Sequence, residues 1–275
     1  MTTPEDITTW PDRLESAIEN TFINRVMVLN QTQSTQDAVA RACIGLPNDH
    51  QATLIIASTQ TMGRGQRANN WHDTPHQTLP CSIAIGPKLL NLNNPNLAAR
   101  TGLAALNTIQ HFAPDTTIKI KWPNDIVTAV GGNFVGKNLG WKNFGGKIAG
   151  ILIEHTRDSI VLGIGINTLQ TESDFHPSIQ DTAISLAQLG CESTRIDLAC
   201  KLIEQLNHWL TIAIEEEVIT HWQKNDALTG TQAKLIHNNQ PHTGTITNIN
   251  PLDHIHLQTT TGNIQLPVEQ TRLIL

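Results

Sequence analysis

Apolar and polar positions follow two different periods along most of the chain, and each period predicts one kind of element. Short apolar runs and strict alternation predict strands, whereas apolar residues three and four positions apart predict helices. The predicted strands are residues 25–29, 53–57, 80–85, 117–122, 147–153 and 160–166, and the predicted helices are residues 12–23, 34–44, 97–112 and 196–217. A polar turn between the last two strands predicts an antiparallel hairpin. Ser34 followed by Asp37 predicts a capping box at the start of the second helix.

The pattern changes after the long helix. Residues 232–275 alternate over short runs, which predicts a small separate β-barrel. The turn signals between these runs are Asn238-Asn239, Pro251 and Gly262. We therefore predict two domains, residues 1–228 and residues 229–275.

Composition narrows the class of protein. With 275 residues and 39% hydrophobic content, the chain can bury a substantial core, and a net charge of −6 argues against binding to nucleic acid or to an anionic membrane. No apolar run has the length of a membrane helix, and the first residues lack the regions of a signal peptide, so we expect a cytoplasmic protein. The four cysteines and twelve histidines show no zinc-site spacing.

Residues 63–71, Gly-Arg-Gly-Gln-Arg-Ala-Asn-Asn-Trp, form the first stretch with candidate chemistry. The glycines permit close approach of the backbone, the arginines suit phosphate or carboxylate, and the tryptophan can cover a flat group. An ordinary surface turn is an equal alternative, because Gly-Arg-Gly alone is a weak pattern.

The second stretch is Lys121-Trp122-Pro123-Asn124-Asp125. A strand ends here in a proline turn that presents an amide and a carboxylate. Oxygen ligands suit Mg²⁺, which commonly arrives with nucleotide phosphates. For an isolated turn the better alternative is that both side chains satisfy the turn backbone.

The third stretch, residues 145–154, delivers Lys147 to the mouth of an apolar strand after a glycine pair. A lysine in this position can reach a phosphate or a developing oxyanion. Residues 119–147 hold five lysines against one acid, which predicts a local positive field, although a solvated lysine face is preferred for Lys137 and Lys142. In the fourth stretch, residues 163–167, two glycines precede Asn167, which indicates either close approach of a ligand or a bulge with a turn asparagine.

Together and in this order, these segments, with Ser34-Thr35 and Gln60, resemble the catalytic domain of the biotin protein ligases. The resemblance spans most of residues 25–170, and its most specific parts are Lys-Trp-Pro-Asn-Asp and Gly-Lys-Ile-Ala-Gly-Ile-Leu-Ile-Glu. It implies an α+β fold like that of biotin ligases and class II aminoacyl-tRNA synthetases. In that fold a central mixed β-sheet is flanked by helices and followed by a small SH3-like β-barrel.

The resemblance also implies a reaction in two steps. The carboxylate of biotin attacks the α-phosphate of ATP, which gives biotinyl-5'-AMP and pyrophosphate, with Mg²⁺ as cofactor. An acceptor lysine, on a protein such as the biotin carboxyl carrier protein of acetyl-CoA carboxylase, then attacks the mixed anhydride and releases AMP. Positioning and charge stabilisation would supply most of the catalysis.

The resemblance implies roles for the residues that stand at the positions of the family's motifs. The implied contacts to biotin or the adenylate are Ser34, Thr35, Gln36, Gln60, Gly63, Arg64, Gly65, Gln66, Trp71, Lys147, Gly150 and Asn167. The implied catalytic residues are Lys147, Arg64 and Arg67, with Lys147 beside the α-phosphate. Asp125 and Asn124 are the implied Mg²⁺ ligands.

Three departures from the family pattern stand out. Gln66, Ala68 and Asn69 replace an arginine, a glycine and an arginine, which predicts a weaker hold on the adenylate; the dissociation rate of biotinyl-AMP from a Gln66→Arg variant would test this. Gln36 stands where the family often has asparagine. Residues 130–146 are longer than the expected turn, and an inert insertion is favoured slightly over an acceptor-docking flap.

Several alternatives remain open at the level of sequence. Only about 24 residues precede the first predicted catalytic strand, too few for a DNA-binding domain, so we expect no DNA partner. A lipoate protein ligase is the nearest enzyme alternative, and a ligand-binding module without catalysis is the non-enzymatic one. A sheet edge leaves a homodimer open.

Overall fold

The computed structural model describes residues 5–45, 52–86, 94–129, 144–156 and 159–274. Most of the insertion noted in the sequence, residues 130–143, lies outside the described residues. The helices are α1 (Trp10–Ile18), α2 (Thr35–Ala42), α3 (Asn94–Phe112), α4 (Arg195–Asn207) and α5 (Glu215–Lys224). The strands are β1 (Arg25–Thr32), β2 (Ala52–Gln60), β3 (Thr78–Ile85), β4 (Ile118–Lys121), β5 (Asp125–Ala129), β6 (Phe144–His155), β7 (Ile160–Asn167), β8 (Gln232–His237), β9 (Gln240–Ile249), β10 (His254–Thr259), β11 (Gly262–Pro267) and β12 (Thr271–Ile274).

The larger sheet of the described chain has seven strands in the order β1-β2-β3-β7-β6-β5-β4. Strands β1 and β2 are parallel, and every other neighbouring pair is antiparallel. The mixed sheet that the resemblance implied is therefore confirmed, as is the β6–β7 hairpin. Alternate side chains of β2 enter two different cores, because successive residues of a strand point to opposite faces. Ile55 packs with Val39 of α2, whereas Leu54 and Ile56 join the larger core.

The prediction of one helix over residues 196–217 is wrong. Helix α4 ends at Asn207, a π-helical turn covers His208–Ile212, and α5 begins only at Glu215. The buried Arg100 of α3 donates hydrogen bonds to the carbonyls of Trp209 (2.6 Å) and Ala213 (2.7 Å), which satisfies backbone groups beside the break. Three glutamates in the first turn of α5 also favour a new N-terminus there, because acidic side chains stabilise that end of a helix.

The second sheet has five strands in the order β11-β10-β9-β8-β12 within the described residues. Asn238 and Asn239 both have positive φ, 50° and 61°, as a tight two-residue hairpin requires. Leu235, Ile246 and Ile255 are fully buried. This arrangement agrees with the predicted barrel-like C-terminal part, whereas the division at residue 228 stays a prediction. Among the helices of the described residues, none combines the length and apolarity needed to cross a lipid bilayer.

Candidate active site

A small cavity, of about 50 Å³, lies where α2, the loop after β2 and the strands β6 and β7 meet. Its lining includes most of the residues implied by the resemblance: Ser34, Thr35, Gln36, Gln60, Arg64, Gly65, Gln66, Trp71, Asn124, Lys147 and Gly150. Ser82, Gly163 and Gly165 also line it. Gly63, Arg67, Asp125 and Asn167 are outside that lining. The fold thus gathers residues from six separate parts of the sequence around one cavity.

Glycines of β6 and β7 make the floor of the cavity. A Cβ atom on Gly165 would lie 2.6 Å from Cε2 of Trp71, and one on Gly163 would lie 2.8 Å from Cδ of Gln36. A Cβ on Gly150 would lie 2.8 Å from Nζ of Lys147. Since real Cβ atoms do not approach other atoms so closely, these positions let side chains lie directly on the strands. Side chains of this chain lie over Gly163 and Gly165, so the approach of a ligand to residues 163–167 stays a prediction.

The loop after β2 folds back on itself as a small hairpin. The Trp71 N–H donates to the Gly63 carbonyl (2.9 Å), and the Gly65 N–H donates to the Asn69 carbonyl (2.8 Å). A Cβ on Gly63 would meet the Trp71 carbonyl at 2.6 Å, so this position requires glycine. Arg67 is exposed at a φ of 57°, away from the cavity, and its catalytic role stays a prediction.

Thr35 and Gln60 fix each other at one wall. The backbone N–H and the hydroxyl of Thr35 both donate to Oε1 of Gln60, at 2.8 and 3.0 Å. The hydroxyl groups of Thr35 and Ser82 are 2.8 Å apart. Ser82 was not singled out from the sequence, because a serine within an apolar strand carries no motif.

Three buried polar atoms on residues of the cavity lining have no hydrogen-bond partner among the described residues. They are Oγ of Ser34, Oε1 of Gln36 and Nε1 of Trp71. A buried polar atom without a partner costs about 1–3 kcal/mol, so this cavity is suited to a polar ligand that offers both donors and acceptors. The predicted capping box is wrong: Ser34 precedes α2, but its side chain makes no cap hydrogen bond.

Lys147 reaches the cavity because β6 is irregular at this point. Val127 of β5 pairs with Lys147 and Ile126 pairs with Ala149, so Ile148 is the extra residue of a β-bulge. Bulges re-aim side chains and are common beside active sites. The Lys147 backbone bonds instead to residues 182–184, through its N–H to Thr182 (2.8 Å) and its carbonyl to Ile184 (3.0 Å). Its ammonium group lies 5.6 Å from the centre of the Trp71 ring.

The carboxylate of Asp125 lies between two ammonium groups. Its Oδ1 is 2.6 Å from Nζ of Lys147, and its Oδ2 is 2.8 Å from Nζ of Lys121. Burial raises the pKa of Asp125, but the two lysines outweigh it and hold the pKa below its ordinary value. Asp125 is therefore charged and holds Lys147 in place.

These ion pairs do not fit the predicted Mg²⁺ site at Asp125 and Asn124. A cation at Asp125 would have to displace both ammonium groups, and the Asn124 amide donates to the Ile151 carbonyl (2.8 Å). No three His, Cys, Asp or Glu side chains of the described residues gather into a metal-holding group. The alternative in which both side chains satisfy the backbone of the turn is not observed either, because the Asn124 amide contacts β6 and Asp125 contacts the two lysines.

Asn167 also has a structural contact. Its amide donates to the carbonyls of Lys147 (3.1 Å) and Ile184 (3.2 Å) and so joins β7 to the bulge that carries the lysine. A ligand contact of Asn167 stays a prediction.

Arg64 and Gln36 both contact Glu154, near the end of β6. No role for this acid was predicted from the sequence. Arg64 Nη2 lies 2.5 Å from Glu154 Oε2 and 3.0 Å from Asp37 Oδ1. Gln36 Nε2 donates to the same Glu154 oxygen at 2.9 Å. The sequence signals for Glu154 were its place as the last residue of the Gly-Lys-Ile-Ala-Gly-Ile-Leu-Ile-Glu segment and its charge at the end of an apolar strand.

A second, more open cavity of about 520 Å³ adjoins the first. Gln66, Asn124 and Ile151 line both cavities. Trp122, which follows β4, and Trp222 of α5 line part of it. Pro251, Val268 and Glu269, from the connections between strands of the second sheet, line another part. The three shared residues make the two cavities neighbours.

A comparison with known protein families supports the assignment of these cavity residues to one site. Residues 28–169 match the biotin/lipoate A/B protein ligase family. The chain belongs to this family. The matched residues include the four motifs and the whole lining of the first cavity, from Ser34 to Gly165.

Relatives within the family carry biotin-related names. A protein of Bacillus subtilis named bifunctional ligase/repressor BirA is 32% identical over 177 residues, covering 62% of this chain and 47% of the relative. The biotin--[acetyl-CoA-carboxylase] ligase of Mycobacterium tuberculosis is 30% identical over 186 residues, covering 65% and 61%. The matched part is thus less than two thirds of either relative.

Solved structures show the fold. The biotin protein ligase from Aquifex aeolicus in complex with biotin and ATP has a TM-score of 0.73 at 21% identity, covering 91% of this chain and 99% of that one. The Leishmania major biotin protein ligase in complex with biotinyl-5-AMP has a TM-score of 0.59 at 23% identity, covering 88% and 98%. The predicted biotin ligase fold is confirmed.

Proposed function

We propose that this chain is a biotin protein ligase that forms biotinyl-5'-AMP from biotin and ATP and then biotinylates a lysine of an acceptor protein. The observation that carries the proposal is a cavity with unpartnered polar atoms at one wall and Lys147 at another. The names of the relatives and of the solved complexes support it.

In this proposal the uncharged ureido ring of biotin lies at the wall made by Ser34, Thr35 and Gln36. A ureido group offers N–H donors and a carbonyl acceptor, which matches the unpartnered atoms there. The glycine floor and the Trp71 ring enclose the apolar part of the ligand, and the carboxylate of biotin extends to Lys147.

The nucleotide occupies the second cavity, so that its α-phosphate lies where the two cavities join. Lys147 lines the first cavity, and in this proposal it stabilises the negative charge that grows as the carboxylate attacks the phosphorus. Asp125 and Lys121 fix the position of Lys147 without touching substrate. Mg²⁺ remains a predicted cofactor that arrives with the ATP phosphates, and it is assigned no protein ligand.

The proposed acceptor is a biotin carboxyl carrier protein, as the name of the Mycobacterium relative suggests. A cytoplasmic location belongs to the same proposal. A homodimer would pair through β1, an edge strand of the large sheet, because the outer edge of β4 already bonds to the backbone of residues 225–227. Sedimentation of the purified protein at two concentrations distinguishes a dimer from a monomer.

Substrate-dependent exchange of pyrophosphate into ATP tests the activation step. Exchange with biotin and none with lipoate is the expected result, because a dithiolane ring has no N–H groups for the polar wall. Exchange with lipoate alone would instead indicate the other branch of the family. Biotin binding without exchange or acceptor labelling would indicate a binding module.

A further inference from the structure

The carboxylate of Glu154 joins two parts of the site that are distant in sequence. Its Oε2 accepts hydrogen bonds from Gln36 on α2 and from Arg64 on the loop after β2. Asp37 contacts Arg64 as well, at 3.0 Å, but has no contact with the Gln36 amide in the described structure. Glu154 therefore contacts both Gln36 and Arg64, whereas Asp37 contacts only Arg64 of the two.

The surroundings of Gln36 determine which way its amide faces. The two groups within reach of its Nε2 are Glu154 Oε2 (2.9 Å) and the Leu152 carbonyl (3.4 Å), and both are acceptors only. The NH₂ group must face them, because the amide oxygen would be repelled. The amide lies flat against Gly163, where a Cβ would be 2.8 Å from its Cδ.

This orientation leaves Oε1 of Gln36 buried and without a partner in the described chain. Gln36 is only 4% exposed, so water does not readily satisfy that oxygen. An acceptor fixed in this way binds a ring that carries an N–H donor and disfavours a ring that carries none, since the oxygen would then stay unsatisfied.

We propose that Glu154 is the positioning residue that sets the specificity of the site for a cyclic ligand with ring N–H donors. It holds the Gln36 amide with Oε1 available to the ring and, through the same oxygen, attaches the Arg64 loop beside it. The inference rests on the proposed function and deepens it, because it assigns ring selection to the last residue of the Gly-Lys-Ile-Ala-Gly-Ile-Leu-Ile-Glu segment, to which the resemblance gave no role. Without Glu154 the amide is free to turn its NH₂ group toward the ring.

Four variants separate the two contacts of Glu154. Glu154→Ala removes both, and Asp37→Asn weakens only the contacts of Arg64. Glu154→Gln keeps an oxygen that can accept from Gln36 and is the conservative rescue. Gln36→Ala, alone and combined with Glu154→Ala, shows whether Glu154 acts through Gln36.

The measurement is biotin-dependent pyrophosphate exchange, with KM determined separately for biotin and for ATP, together with calorimetric binding of biotin. Glu154→Ala is expected to raise the KM for biotin about tenfold or more, the effect of a lost hydrogen bond to a charged group, with the KM for ATP changed less. Glu154→Gln should recover most of the loss. Adding Glu154→Ala to Gln36→Ala should raise the KM for biotin no further.

Distinct results overturn distinct claims. If the wild type shows no biotin-dependent exchange, both the proposed function and this inference fail. If the wild type is active and Glu154→Ala leaves the KM for biotin unchanged, the inference alone fails. It also fails if Glu154→Ala and Asp37→Asn change the two KM values equally, because Glu154 would then act only through Arg64.

Discussion

At the scale of one residue, Asp125 shows that a sequence motif does not by itself determine what a side chain binds. A carboxylate beside an asparagine after a proline turn suggested a Mg²⁺ ligand, and the sequence gives no sign of which lysines approach it. The fold brings Lys121 within 2.8 Å through the short β4–β5 hairpin and Lys147 within 2.6 Å through the bulge of β6. Because two ammonium groups contact this buried carboxylate, Asp125 positions the lysines instead of binding a metal ion.

Replacing Asp125 with asparagine tests this role. The variant leaves two buried or half-buried ammonium groups without their counter-charge, so we expect a loss of stability of about 3 kcal/mol and a fall in pyrophosphate exchange of about tenfold or more. Urea unfolding and exchange assays at neutral pH measure the two effects.

The pH dependence of the unfolding free energy provides a control for the Asp125→Asn variant. Because its folded pKa is depressed, its stabilisation is present above the unfolded value of about 4 and is lost as the pH falls through the folded pKa. The difference in unfolding free energy between wild type and Asp125→Asn should therefore shrink in acid. An equal difference at neutral and strongly acidic pH would contradict the ion-pair account.

At the scale of elements, the strands near the site could be predicted and their irregularities could not. Periodicity placed β2, β3, β6 and β7 within a few residues of their observed bounds. The bulge at Ile148 and the break after α4 depend on contacts with distant backbone at residues 182–184 and with Arg100. Such long-range contacts override local propensity, and a single sequence does not display them.

Asp73 links the end of β2 to the start of β3 and makes these elements sensitive to pH. Its carboxylate accepts hydrogen bonds from the Gln60 N–H (2.6 Å) and from the Thr78 hydroxyl. Burial raises the pKa of Asp73 to about 7, although the Gln60 N–H and the charge of Arg195 oppose the shift.

The sign of the effect follows from the raised pKa. A carboxyl group that stays protonated in the folded state contributes stability below its unfolded pKa, and this contribution is lost as the pH rises through the folded value. We expect the unfolding free energy of the wild type to fall between pH of about 4 and about 7, and that of Asp73→Asn to fall less. Parallel pH profiles in urea unfolding would show that another group is responsible.

At the scale of the whole molecule, the sequence predicted two sheets and one clustered site, and the structure adds how they meet. Residues within the matched range 28–169 line the first cavity, while the second cavity is also lined by Pro251, Val268 and Glu269 from the connections between strands of the smaller sheet. That contribution was not predictable, because these residues belong to no motif and their approach depends on how the second sheet packs. Glu154 was missed for a related reason: its meaning depends on which side chains reach it.

The central claim is that this chain transfers biotin and that Lys147 promotes the activation step. Its most direct test is the mass of a purified biotin carboxyl carrier domain after incubation with biotin, ATP and Mg²⁺, with wild-type enzyme and with Lys147→Ala. We predict addition of one biotin by the wild type and a rate about 100-fold to 1000-fold lower with the variant, the usual cost of removing one charge-stabilising group. An unmodified carrier domain with the wild type, or an equal rate with Lys147→Ala, would contradict the account.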